Sequence, residues 1–353
     1  MISSYLVYHF VFIVSIVLLL PFRIGKAISL NRAIDVRYFG VFLTVILLCS
    51  LRYNVGTDYI MYENVFYKIN KDIPTLMEYG YYSLNKLFGS FTNGYLYVFA
   101  VSAIVTHFFF FKVLYRESII FWGVFFFFTF GFLFIANNII RQAIVIPLFY
   151  WAVKFIEEKK LFKYLLFIAI GFLFHRSALF LIPFYWIDKI KFGKITWIVF
   201  LIISTVISFT SIVPIFIEKV VMLIPKYGAY ASRNFESAIS SGATNILYAL
   251  MYIVIVLYMD KVTKKRRHLL YLNIFLVGIN LSFIFMTVDF LYRISYYFIP
   301  MFSIIIPLLI RELKVGLNKS IITMFFVLIS LVFWFKTLIF NDHGCVPYQS
   351  FLF

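Results

Sequence analysis

The sequence predicts an all-α polytopic integral membrane protein of about twelve transmembrane helices, and three observations carry that expectation. Of 353 residues, 63% are hydrophobic and only 13% charged, about half the charge a soluble chain carries. The 47 Phe and 26 Tyr residues exceed what a soluble interior of this size can hide, a difficulty that lipid as solvent removes. Lys and Arg gather in six short clusters separated by apolar runs, at 23–37, 112–116, 154–163, 189–194, 261–267 and 311–319. That alternation is the pattern of basic loops flanking spans. It also turns the net charge of +17 away from nucleic acid. The apolar runs are continuous and lack period-two alternation, which argues against a β-barrel. They are read as helices because unpaired backbone groups in lipid are costly.

Taken in order, the first span, 4–20, precedes Pro21-Phe22-Arg23. It lacks a basic leader and a small-residue cleavage site, so it reads as a retained span. The second, 37–51, lies between Arg37 and Arg52, and the third, 94–111, between Gly94 and Lys112. The fourth, 119–136, stops at Asn137-Asn138, and the fifth, 142–156, at Glu157. The sixth, 161–175, and seventh, 177–187, are parted only by His175-Arg176. The seventh is the weakest and reads as a broken or re-entrant helix paired with the sixth. The eighth to twelfth are 195–213, 244–259, 269–288, 294–310 and 320–340. Residues 1–353 then form a single transmembrane domain.

Placing the six basic clusters in the cytoplasm puts both termini outside. The inner segments hold 21 Lys and Arg against 7 Asp and Glu, leaving 11 against 8 of the chain's 32 and 15 elsewhere. The asymmetry favours this orientation. Two long loops, 52–93 and 214–243, fall on the outer side, where aromatic residues between charges predict short amphipathic helices at the interface. There is no Gly-rich phosphate loop and no room for a nucleotide-binding domain. Cys49 and Cys345 have neither metal spacing nor a disulfide framework.

Candidate chemistry lies at the expected outer ends of the runs. Arg52 and Asp58 flank a turn that Gly56 permits, and a carboxylate there can take or orient a hydroxyl proton; the structural reading is an interfacial Arg–Asp pair. Asn138 and Arg141 sit between two apolar runs. An ionisable residue at such depth is a functional candidate, and a guanidinium offers paired donors to phosphate oxygens; the rival role is snorkelling. His175 and Arg176 interrupt a long hydrophobic stretch, and His is the side chain poised to move a proton near neutral pH; a hydrogen-bonded structural His is the alternative. Arg233 lies in the second long loop. Asp289 and Arg293, four residues apart, could pair on one helical face. Arg141, Arg176, Arg233 and Arg293 together suggest an anionic substrate at a lipid–water interface. The outer carboxylates show no clustered ligand spacing, so neither metal nor cofactor is expected.

The stretches Leu51-Arg52-Tyr53-Asn54-Val55-Gly56-Thr57-Asp58-Tyr59 with Tyr62, Glu78-Tyr79-Gly80-Tyr81, and Asn138-Ile139-Ile140-Arg141-Gln142-Ala143 occur in that order. Phe174-His175-Arg176-Ser177-Ala178-Leu179, Arg293-Ile294-Ser295-Tyr296-Tyr297-Phe298 and Pro347-Tyr348 follow. This ordered set resembles the EpsG-type family of polysaccharide polymerases, the Wzy-like membrane proteins. It departs at Val145, where the family has a small residue. The resemblance implies an enzyme of the bacterial inner membrane that polymerises undecaprenyl-pyrophosphate-linked oligosaccharide repeat units on the periplasmic face, in O-antigen, capsule or exopolysaccharide assembly. It implies Asp58, His175 and Arg141 as catalytic residues. Arg52, Glu78, Asn138, Arg176, Arg233, Arg293 and Tyr297 become substrate or pyrophosphate contacts. Expected partners are the lipid-linked oligosaccharides, membrane lipids, a chain-length regulator and a flippase, with no nucleic acid. The architecture is expected to resemble the GT-C type of membrane glycosyltransferase. The competing readings are a glycosyltransferase using a polyprenyl-phosphate sugar donor, a transporter or flippase of lipid-linked saccharides, and a membrane O-acyltransferase.

Overall fold

Helix follows from the apolar runs, but their breaks decide how far each helix reaches. The structure, a computed structural model, describes residues 2–23, 36–222 and 242–352. Arg233 and most of the 214–243 loop lie outside the described residues. The chain divides into two compact units, Met1–Tyr185 with Val327–Phe353, and Trp186–Phe326.

In the first unit, α1 is Ile2–Arg23, α2 Val36–Ser50, α3 Tyr59–Asn70, α4 Tyr79–Leu87 and α5 Tyr95–Arg116. Then come α6 Ile120–Thr129, α7 Phe132–Asn138, α8 Ile140–Glu157 and α9 Leu161–Phe172. A 3-10 helix, Arg176–Lys189, leads into the second unit. Helix α5 packs on α2 and α8, α8 on α9, and α1 on α6. Their shared interior is aromatic: Phe110 meets Phe127 at 5.2 Å and Phe132 at 5.0 Å between ring centroids. Val145 fits against α9 because that helix presents Gly171. A Cβ there would stand 2.9 Å from Val145 Cγ1.

The second unit contains α10 Lys194–Ser208, α11 Ile212–Met222, α12 Gly242–Leu257 and a short helix, Met259–Val262. Helix α13, Arg266–Ile284, and α14, Phe302–Glu312, follow. Helix α10 packs on α13. Within the apolar packing, Asn280 Nδ2 donates to the Tyr252 hydroxyl at 2.8 Å, and Ser204 Oγ donates to Asn280 Oδ1 at 2.9 Å. These three polar side chains thus satisfy one another, as burial away from water demands.

The expectation of about twelve spans is corrected. Among the described residues, four helices are long and apolar enough to cross a membrane: Tyr95–Arg116, Arg266–Ile284, Arg293–Glu312 and Leu317–Ile339. The number rises to six if each of two bent pairs is one span. Apolar run length overcounts because a run is not one straight helix. The run 119–136 breaks at Gly131, whose φ is +72°, and α6 and α7 bend by 59°. Helix α2 has 15 residues, about 22 Å at the helical rise, short of a ~30 Å hydrocarbon core. Helix α9 has 12, and the run 177–187 is 3-10 helix, not a span. The assignment of sides by alternating twelve spans lapses with the count.

Candidate functional site

Between α2 and α5 the chain is too polar for a span and folds as α3 and α4 over the first unit. Tyr59, Tyr62, Phe66, Tyr81, Tyr95 and Phe99 pack beneath it. Glu78 takes the N-cap position of α4 in extended conformation. Its side chain is only 7% exposed. Arg141, one residue into α8, forms an ion pair with it through Nη1 and Oε2. His175 Nδ1 stands 3.6 Å from Oε1, and the backbone N–H of Arg176 donates to the same oxygen at 3.2 Å. Three segments distant in sequence thus converge on one carboxylate.

Main-chain contact seals the convergence. Gly80 N–H donates to the Leu173 carbonyl at 2.7 Å, and a Cβ at position 80 would lie 2.8 Å from that oxygen. Gly80→Ala is therefore expected to push α4 off the His175 turn and destabilise the protein by about 1–3 kcal/mol, the usual cost of overpacking. Thermal unfolding in detergent would check this; an unchanged midpoint would contradict the close approach.

Burial alone would push the Glu78 carboxyl up, but the facing His175 ring and the Arg141 guanidinium outweigh it and hold it down at about 2, against a usual 4.5. Between those values the unfolded chain binds the proton and the folded one does not. The stability from this group is thus fully present above pH 4.5 and is lost as pH falls towards 2. Glu78→Gln is expected to remove that component from the acid-unfolding curve in this window. An acid limb of the same steepness in the variant would refute the assignment.

Arg141 also faces the Tyr62 hydroxyl, and Asp58 is close enough to act on Tyr62 electrostatically. Asp58 sits at the N-cap of α3, half-buried, and its side chain makes no capping bond. Burial pushes the Tyr62 phenol up, while Arg141 acts against it. Tyr62 stands in the motif that carries the resemblance, without a site role of its own. Its spacing from Asp58, one helical turn along α3, was the available signal.

Arg52 and Asn138 support this cluster from below. Arg52 is 1% exposed. Its Nη1 donates to the Val55 carbonyl, and its guanidinium lies 5.0 Å from the Phe99 ring centroid and 5.5 Å from that of Tyr59. With Ser102 and His107 it lines a cavity of about 10 Å³, room for roughly one water. The turn passes directly over it. Gly56 has φ +104°, and a Cβ there would lie 2.6 Å from Asn138 Oδ1 and 2.9 Å from Arg52 Nη1.

The C-terminal tail holds the same turn. Tyr53 N–H donates to the Gln349 carbonyl at 2.9 Å, Gly56 N–H to Gly344 at 2.8 Å and Thr57 N–H to His343 at 3.2 Å. Asn138 Nδ2 donates to the His343 carbonyl at 2.9 Å. Sequence inspection noted Pro347-Tyr348 only as part of a resemblance; nothing local shows that a tail will lie against residues 51–57.

Seven of the expected residues therefore gather in the first unit: Arg52, Asp58, Glu78, Asn138, Arg141, His175 and Arg176. They differ in access. Arg52 and Asn138 are buried, Glu78 and Arg141 are paired, and the Arg176 side chain is exposed. Arg293 and a buried Tyr297 belong to the second unit.

The family model described as the EpsG family matches residues 36–350 of this chain. No curated protein matches it. No solved structure matches it either.

Proposed function

This chain belongs to the EpsG family, and from that premise we propose that it joins undecaprenyl-pyrophosphate-linked oligosaccharide repeat units into a surface polysaccharide. The family is Wzy-like, and membership is consistent with a general polysaccharide-polymerisation role, a polymerase-type activity and lipid-linked oligosaccharide substrates. The protein is helical, with several apolar helices of membrane-spanning type. We place its site on the periplasmic face, with loop 52–93 on that side, because within the first unit the basic residues Arg116 and Lys154 fall in the last turns of α5 and α8, while the loop joins the first turn of α5.

The convergence of Arg141, His175 and Arg176 on Glu78 carries the reading. The acceptor hydroxyl attacks the anomeric carbon of the growing chain. A glycosidic C–O bond forms, and the bond to the pyrophosphate oxygen breaks with its electron pair on the leaving pyrophosphate. That group departs as a stable anion, so no acid need protonate it. The exposed guanidinium of Arg176 and the oriented fork of Arg141 suit its oxygens. Glu78, held near 2 by its cationic neighbours, is too weak a base to accept the hydroxyl proton. Its role is to orient Arg141 and His175. Asp58, which forms no such pair among the described residues, takes the proton, and His175 contacts the hydroxyl or a phosphate oxygen.

Gene deletion with glycan analysis tests the function. Loss of the protein should abolish the polymer ladder while a lipid carrying one complete repeat unit persists, and wild-type protein, but not Asp58→Asn, should restore the ladder. A deletion that leaves an incomplete repeat unit would instead indicate a glycosyltransferase adding a single sugar.

A further inference from the structure

We propose that the adjoining ends of α5 and α8 form a binding site for the phosphate headgroup of an anionic phospholipid, held by Lys112 and Lys154 around Trp151. Three cations converge on that one indole. Lys154 Nζ lies 4.0 Å from its ring centroid, Arg116 Cζ 4.6 Å and Lys112 Nζ 4.7 Å. Snorkelling alone would spread such heads into water along separate paths. Their convergence sets like charges against one another, and an anion among them relieves it.

Arg116 is already committed. Its Nε donates to Glu117 at 2.8 Å, and its Nη atoms donate to the Trp151 and Tyr150 carbonyls at 3.2 and 3.3 Å. Glu157 ends α8, and Glu158, its C-cap residue, accepts from Lys160 at 2.7 Å. Among the described residues, neither Lys112 nor Lys154 forms an ion pair with a carboxylate; Glu158, bonded to Lys160, acts on Lys154 only through space. The ring attraction compensates them in part and leaves two ammonium groups for an external anion.

The neighbouring surface selects a lipid over free phosphate. Ile104, Phe108 and Lys112 are spaced by four along α5 and so share one face, with Ile104 and Phe108 each 44% exposed. An apolar stripe on a membrane-spanning helix ends at a lysine beside an indole, which is the level of headgroups. Acyl chains would run along Ile104 and Phe108, and the phosphate would meet Lys112 and Lys154. None of these residues belongs to the proposed catalytic cluster.

Native mass spectrometry of the full-length protein in mild detergent, with phosphatidylglycerol and phosphatidylcholine added in equal amounts, tests this. Wild-type protein should retain phosphatidylglycerol preferentially. K112Q/K154Q should weaken that retention about 25-fold, at roughly fivefold per lysine. K112R/K154R should keep it, and K86Q, at a lysine paired with Asp72, should not change it. Equal retention of both lipids, or a K112Q/K154Q variant that retains phosphatidylglycerol like wild type, would overturn the proposal. Displacement of the lipid by millimolar inorganic phosphate would assign the site to free phosphate and overturn it as well.

Discussion

Arg141→Ala is expected to abolish the polymer ladder, and Arg141→Lys to lower polymer yield about 100-fold, the scale set by losing one fixed donor to developing negative charge. Lysine keeps the charge but not the planar fork that can hold Glu78 with one edge and offer donors with another. Glu78→Gln should approach the same loss by a different route, since Arg141 would keep its burial and lose its counter-charge. Breaking such a pair from one side costs about 3–5 kcal/mol when it is fully buried. Arg141 is 19% exposed, so the structural share should fall at or below the lower end. The two residues act as one unit. The double variant should therefore be little worse than either single change, whereas independent sites would add. Lipid-linked single repeat units should accumulate in all four variants. Polymer of normal length and yield in Arg141→Lys would defeat the proposed contact with pyrophosphate.

Removal of residues 341–353 should also silence the enzyme, although none of them is proposed to touch substrate. The tail accepts from Tyr53, Gly56 and Thr57 and donates from Phe351 to the Leu51 carbonyl at 3.0 Å. Its Cys345 carbonyl accepts from the Tyr8 hydroxyl at 2.7 Å, and the Tyr348 hydroxyl donates to Leu48 at 3.0 Å. Each donor or acceptor left unsatisfied in a buried place costs about 1–3 kcal/mol, and several together rival the ~5–15 kcal/mol net stability of a folded chain. The turn carrying Asp58 should then loosen first. Trypsin cleavage after Arg52, blocked in the intact protein, would report it. A truncated protein that resists trypsin there and polymerises normally would show the tail to be dispensable.

The candidate site was more legible than the fold that carries it. Arg141 and His175 each interrupt a hydrophobic run, and an ionisable residue in such a place is costly enough to stand out. Glu78 was legible only within the ordered motifs that carry the resemblance. Its importance comes from Arg141 and His175, which are 63 and 97 positions further along the chain. Arg52 illustrates the limit. The resemblance implies a substrate contact for it, and only the structure shows its guanidinium packed against Tyr59 and Phe99, with the tail and the Gly56 turn closing over it. The span count failed for a related reason: hydropathy reports where apolar residues are, not where a helix ends.

Composition and charge patterning by themselves determined that this chain is helical and lives in a membrane, because those properties follow from solvent preference averaged over many residues. The ordered motifs determined its family. Only the tertiary structure decided that Gly131 divides one apolar run into two bent helices, that Gly80 brings Glu78 to His175, and that the tail clamps the Asp58 turn. Each of those depends on a backbone angle or a contact between distant segments. Such terms are set by the packing of the whole unit, and no local stretch of sequence contains them.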